Sequence, residues 1–261
     1  MMYLYDFSQN YKSLCVCGDI HGEFRPLIYN IKRLSITDAL LVVAGDCGIG
    51  FEKPEYYDQL YNRISQTLKK QNVKLLLIRG NHDDPEYFDG NKINYPNLTA
   101  LPDYSVIRFN GLSALCVGGG ISVDREARKM DMWLKKIKGK MCCPSYWEEE
   151  KVVYNEPLLD EMNDEGIYID AVISHTAPSF CFPTTKEGVA GWLAKDSALE
   201  LDLDTERQAM DKLFDYLIRK NNPIADWYYG HFHSSANEYI HSVRFSLLDI
   251  QEIKTLWNRA K

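Results

Sequence analysis

Leu75-Leu76-Leu77-Ile78-Arg79-Gly80-Asn81-His82-Asp83 is a run of large aliphatic residues that breaks off into a glycine and a cluster of polar side chains. An apolar run with no polar alternation is the pattern of a strand buried on both faces, the kind found in parallel sheets. The same grammar occurs twice upstream. Ser13 to Cys17 ends in Gly18-Asp19-Ile20-His21-Gly22, and Ala39 to Ala44 ends in Gly45-Asp46-Cys47-Gly48. Phe24 to Leu34 and Tyr56 to Lys70, which separate these strands, carry apolar residues at helical spacing. With a third strand at Lys74 to Ile78, the first third of the chain reads strand, helix, strand, helix, strand, which predicts a parallel sheet.

The rhythm changes from Ser105. Ser105 to Phe109 and Leu112 to Val117 are strand-like runs joined by Asn110-Gly111, a strong hairpin signal. A second, more antiparallel sheet is therefore expected. Later strands fall at Ala171 to Ser174, Trp227 to Tyr229 and Val243 to Leu248, with a helix over roughly Thr205 to Lys220. No repeat or composition shift demands a boundary, so residues 1–261 are read as one domain. Two stretches, 118–166 and 178–203, are too long for simple connections. They read as lids over a site, with helical or disordered padding as the alternative.

Composition limits the partners. With 37 acidic and 30 basic residues the net charge is −7, which argues against a broad grip on a nucleic-acid backbone. No apolar run approaches the roughly 20 residues needed to span a bilayer, so no membrane partner is expected. The N-terminus lacks a basic stretch followed by an apolar one, which leaves the cytoplasm as the expected location. Seven cysteines without a C-x-x-C pair are read as reduced thiols, Cys15, Cys17 and Cys116 among them in strands or core. The Asn97-Leu98-Thr99 glycosylation triplet is read as coincidental.

Five of the six histidines fall just past a proposed strand. Taken singly, each is an ordinary polar residue at a strand end; together they carry chemistry. In Gly18-Asp19-Ile20-His21-Gly22 the alternation of an extended segment would turn Asp19 and His21 to one side. In Gly45-Asp46-Cys47-Gly48 the glycines allow close backbone approach, so Asp46 could bridge two cations. Adjacent Asn81 and His82 should diverge, one toward a metal and one toward substrate. His175 follows a strand alone. Tyr229-Gly230-His231-Phe232-His233 repeats the i, i+2 pattern, while His241 belongs to no motif and is read as structural or surface.

The order Asp-x-His, Gly-Asp, Gly-Asn-His-Asp, His, Gly-His-x-His, from Asp19 to His233, resembles the calcineurin-like metallophosphoesterase superfamily. The resemblance implies an α/β fold of two packed mixed β-sheets flanked by helices, a four-layer α/β/β/α sandwich. It also implies a pair of divalent ions, with Asp19, His21 and His233 holding one, Asn81, His175 and His231 the other, and Asp46 shared. Mixed oxygen and nitrogen donors suit Mn, Fe or Zn. By the same resemblance His82 protonates or steadies the leaving oxygen, and Asp83 either orients it or is a plain helix-starting Asp.

The opening motif is similar to that of the Ser/Thr protein phosphatases, but the second is not: Ile49 and Gly50 stand where those enzymes carry an Asp and an Arg. Protein phosphatase activity is thereby put in doubt, and either another cation holds phosphate or the substrate needs less help. Arg125 and Arg128 are the candidates, against the alternative of a solvated charged face. Trp147 and Trp192 could stack on a base, or simply pack. The expected activity is metal-dependent hydrolysis of phosphate mono- or diesters on a small molecule, a nucleotide among them. A nuclease and a non-catalytic scaffold are the competing classes, and no ligand is missing as a scaffold would require.

Overall fold

The computed structural model describes residues 2–140 and 143–258. Its first half runs β1 (Leu4–Asp6), β2 (Ser13–Cys17), α1 (Phe24–Arg33), β3 (Ala39–Val43), α2 (Pro54–Gln71), β4 (Val73–Leu77), β5 (Asn94–Tyr95), β6 (Leu98–Ala100), β7 (Ser105–Phe109) and β8 (Leu112–Val117). It continues with α3 (Arg125–Ile137), α4 (Glu156–Asp164), β9 (Ala171–Ser174), α5 (Ala190–Leu193), α6 (Leu199–Arg219), β10 (Asp226–Tyr229), β11 (Ala236–Ile240), β12 (Val243–Leu247) and β13 (Ile253–Asn258). A six-stranded sheet is ordered β13-β2-β3-β4-β6-β5, and a seven-stranded sheet β1-β7-β8-β9-β10-β12-β11.

Alternate residues of the strands sort into three apolar layers. Leu14, Val16, Leu40, Val42 and Leu76 meet Ile107, Ala114, Cys116 and Ile173 between the two sheets. On its other face the six-stranded sheet buries Cys15, Leu41, Val43 and Leu75 against Leu27 and Ile31 of α1 and Leu60, Ile64 and Leu68 of α2. The seven-stranded sheet buries Leu115, Val172, Trp227 and Phe245 against Leu159 of α4 and Leu213, Phe214 and Leu217 of α6. The result is the four-layer α/β/β/α sandwich expected from the sequence. Each fully buried Leu or Val contributes about 1.5–3 kcal/mol, which is why unbroken apolar strands mark the centre. Helix α2 starts at Pro54, whose missing N–H costs nothing there, and stops at Asn72 in the left-handed conformation at φ 50°.

Several expectations need correction. The seven-stranded sheet is mixed, with β1/β7, β8/β9, β9/β10 and β10/β12 parallel and only β7/β8 and β11/β12 antiparallel. After the Asn110-Gly111 hairpin, helices α4 and α6 carry the connections, and helical crossovers return a strand in the same direction. Helix α6 begins at Leu199, earlier than Thr205, with Glu200 and Asp202 in its first turn complementing the helix dipole. Leu98 and Thr99 lie in β6 and are buried, and Asn97 Nδ2 donates to Val73 O at 3.1 Å, so the Asn97-Leu98-Thr99 triplet serves the sheet. Cys15, Cys17, Cys47, Cys116, Cys143 and Cys181 are free thiols; Cys142 lies outside the described residues.

Candidate metal centre

Register places the site. In the six-stranded sheet the last residues of three parallel neighbours, Cys17, Val43 and Leu77, are aligned. In the other sheet Val117, Ser174, Tyr229 and Leu247 are aligned in the same way. The loops that leave these ends therefore gather at one edge of the sandwich, where ligands bind open parallel sheets. They are the loops that hold Asp19, His21, Asp46, Asn81, His82, His175, His231 and His233.

Two groupings result. One ligating atom each of Asp19, His21, Asp46 and His233 lies within 4.8 Å of the others. His21 Nε2 and His233 Nε2 are 3.0 Å apart, and His233 Nε2 stands 3.1 Å from Asp19 Oδ2. Beside them, His175 Nε2 is 3.0 Å from Asn81 Oδ1 and 3.3 Å from Asp46 Oδ1, with the His231 ring centred 4.8 Å from that of His175. Asp46 thus touches both groups, its Oδ2 lying 3.8 Å from His21 Nδ1.

The donor set fits divalent cations. Asp19 Oδ2 is buried and, although His233 Nε2 stands 3.1 Å away, accepts no well-directed hydrogen bond, an expensive state for a carboxylate oxygen that a cation relieves. Burial opposes charge on both Asp46 and His175. Their mutual attraction wins, holding Asp46 well below the usual carboxylate range and His175 above that of imidazole. Burial and then His175 push His231 well down, leaving it a neutral imidazole, the form that ligates metal. The cradle is closed by small residues: a Cβ on Gly80 would stand 2.1 Å from Asp46 Oδ1, and one on Gly230 2.2 Å from Asp19 Oδ1.

The local backbone is not extended, which corrects the alternation argument. His21, Asp46, His231 and His233 have φ of 46°, 46°, 70° and 46°, a region sparsely used by residues other than glycine. Asp19 and His21 converge because the chain turns. His231 and His233 separate for the same reason, one toward His175 and the other toward Asp19, and do not share a side.

Hydrogen bonds hold this strained arrangement. Asp83 does not orient His82 and does not start a helix. Its buried carboxyl accepts from the backbone N–H of Cys47 (2.9 Å), Ile49 (2.8 Å) and Gly80 (2.7 Å), tying the Asp46 loop to the Asn81 loop. Burial and the nearby Asp46 push it up to about 7. Asn81 Nδ2 donates to Ser122 Oγ at 3.0 Å, and Ser122 Oγ donates to Glu150 Oε2 at 2.6 Å. Arg79 binds Asp103 and donates to the carbonyls of Glu149, Glu150 and Lys151, fastening the 118–166 stretch to the end of β4. None of Ser122, Glu150 and Arg79 was singled out for this work from the sequence. An Arg heading the Gly-Asn-His-Asp motif was the one available signal.

The two arginine candidates part company. Arg125 is buried and paired with Asp196 and Asp202, both at 2.5 Å, so its guanidinium joins α3 to the chain around α6 and is not free for phosphate. Arg128 lines the site cavity, with Nη2 2.5 Å from His82 Nε2 and Nε on Asp124 at 2.8 Å. Burial lowers the His82 pKa and Arg128 adds to the effect, so its ring is neutral near pH 7. Ile49 is fully buried, and a Cβ on Gly50 would meet Asp84 at 2.2 Å, which leaves no room there for a larger side chain. Trp147 packs edge-on against Phe51, whereas Trp192 lines the cavity. His241 packs beside Phe180 and Phe214, away from the site.

The cavity measures about 800 Å³. Its floor is Asp46, Asn81, His82, His231 and His233, and its walls come from 121–128 on one side and 179–192 on the other. Arg207 Nη2 secures the second wall through the carbonyls of Pro178 (2.7 Å) and Cys181 (2.5 Å).

The calcineurin-like phosphoesterase family model matches residues 12–235. No curated protein matches the chain by sequence. One solved structure, 15% identical, superposes with a TM-score of 0.50 over 95% of this chain and 99% of its own. A putative 5'-nucleotidase from Staphylococcus aureus is 12% identical with a TM-score of 0.47, over 92% of this chain and 49% of its own. The phosphopantetheinyl hydrolase from Mycobacterium tuberculosis is 14% identical with a TM-score of 0.39, over 93% and 92%. At 15% identity the first of these likenesses is one of fold.

Proposed function

This chain belongs to the calcineurin-like phosphoesterase family, whose members are metal-dependent hydrolases of phosphate esters, and we propose that its own substrates are small phosphate mono- or diesters, nucleotides among them. The observation that carries the proposal is the convergence of seven candidate ligands, four of which (Asp46, Asn81, His231 and His233) line a cavity of about 800 Å³, a size that suits a small molecule. Asp124, Asp204 and Asp211 line it beside Arg128, Lys186 and Arg207, a wall of mixed charge and not the basic face that a nucleic-acid strand needs.

Asp19, His21 and His233 would hold one divalent ion, Asn81, His175 and His231 a second, and Asp46 would serve both; the mixed donors suit Mn, Fe or Zn. Such ions supply Lewis acidity toward the phosphoryl oxygens and toward a nucleophilic water. The chain's own residues do the rest. Arg128 rests on His82 through Nη2 and on Ser145 O through Nη1, and can turn the second N–H of each to an incoming phosphate, a bidentate acceptor that a neutral imidazole cannot match. His82, released from Arg128 and beside the phosphate's negative charge, can then take up a proton from solvent and, as imidazolium, hydrogen-bond the leaving oxygen and pass that proton to it. Residues 121–128 and 179–192 act as walls that exclude water around the reacting group.

The test is a panel of aryl phosphate mono- and diesters with added manganese, comparing the wild-type chain with Asp46→Asn. Hydrolysis of at least one member, abolished in the variant, is expected. Turnover of none would overturn the proposal and favour a scaffold.

A further inference from the structure

Helix α3 presents an apolar stripe that the rest of the described chain leaves uncovered. Met130, Trp133, Leu134 and Ile137 stand at i, i+3, i+4 and i+7, the spacing of a helix's buried face, yet their exposures are 56, 56, 39 and 62%. Arg125 is the one α3 residue that is buried. The surroundings of the stripe are basic in an acidic protein. Between Arg125 and Lys140 there are seven basic residues and two acidic ones, in a chain of net charge −7. The two acids, Glu126 and Asp131, are matched within the helix by Lys129 and Lys135. Lys136, Lys138 and Lys140 have no ion pair among the described residues and continue past the end of the helix. Trp133 and Met132 form the apolar part of a surface cavity of about 670 Å³, with Lys129, Lys136 and Lys140 around it.

We propose that α3 is an interfacial docking helix, which lays this stripe on the surface of an anionic phospholipid bilayer. Tryptophan and aliphatic side chains on one face with lysines beside them are what such a surface binds, the apolar groups entering the acyl boundary and the ammoniums meeting lipid phosphates. The lysines also discriminate between occupants. Lysine is depleted at protein–protein interfaces, so a protein partner fits this composition less well. A second copy pairing face to face would set lysine against lysine. No helix among the described residues is long and apolar enough to cross a membrane. The association is peripheral, and it departs from the sequence-based expectation of no membrane partner, which rests on the lack of a spanning segment.

The experiment is co-sedimentation of the manganese-loaded full chain with phosphatidylcholine vesicles, with and without phosphatidylglycerol, together with sedimentation velocity in their absence. Binding is expected to the anionic vesicles alone and to weaken as salt is raised. The double variant Trp133→Ser, Ile137→Ser should lower the partition coefficient by about tenfold or more, and Lys136→Gln, Lys138→Gln, Lys140→Gln should lower it too. These positions are exposed, so unaltered thermal unfolding of the variants will show that the fold is kept. Absence of binding, equal binding to neutral vesicles, or variants that bind like wild type would overturn the proposal. A wild-type dimer that Ile137→Ser converts to monomer would overturn it in favour of self-association.

Discussion

Asn81 Nδ2 lies 3.0 Å from Ser122 Oγ, and this contact decides which end of the Asn81 amide faces His175. With the donor end held by Ser122, the acceptor oxygen points into the site, where an amide can ligate a cation. Ser122→Ala should free the amide to rotate and weaken metal binding at the His175 and His231 group by about 10–100-fold. Calorimetric titration with manganese would show this as a loss confined to one of two sites. Two unchanged sites would remove Ser122 from the centre.

Replacing His82 with Ala should separate chemistry from metal binding. Its ring touches Arg128, and its backbone N–H donates to Asp46 Oδ1 at 2.8 Å, a bond that alanine preserves. Turnover of an aryl phosphate should fall by about 10²–10⁴-fold, with metal content by elemental analysis unchanged. Full activity would refute the role given to His82.

Arg125 and Arg128 should respond to alanine in opposite ways. Removing Arg125 leaves Asp196 without its cation and Asp202 with Lys151 alone, and should cost about 1–3 kcal/mol in denaturant unfolding. Removing Arg128 should raise KM for a phosphate substrate and barely move the unfolding midpoint. An unchanged KM in Arg128→Ala would dispose of the phosphate-holding role.

Glu206 should make stability depend on pH. Its carboxyl is buried, accepts from Thr176 Oγ1 at 2.8 Å through one oxygen and has no partner for the other. Burial pushes it from an ordinary 4.5 up to about 7. Between these values the folded chain holds a proton that the unfolded chain releases, so stability is greatest below the lower value and declines as pH rises through the upper one. Glu206→Gln, which mimics the protonated acid, should gain on the wild type by up to about 3 kcal/mol above pH 7 and by nothing near pH 4. Urea midpoints at pH 5 and pH 8 would check this; a difference independent of pH would refute it.

Sequence by itself marked the central strands and the candidate ligands. Unbroken apolar runs such as Ala39 to Val43 can be satisfied only by burial on both faces, and each such strand ends in a glycine followed by groups that could bind metal. Local chemistry carries that information. Short strands such as Leu4–Asp6 and Asn94–Tyr95 left no such trace, because pairing to a neighbour creates them. The direction of β8 to β12 was misjudged because helices α4 and α6 set it from outside the strands. The tertiary structure alone decided the rest: that Arg125 is spent on Asp196 and Asp202 while Arg128 reaches His82, that Asp83 braces loops, and that Ser122 aims Asn81. Each depends on a partner distant in the chain, and a side chain's job is set by what folding brings within hydrogen-bond reach, which no local pattern encodes.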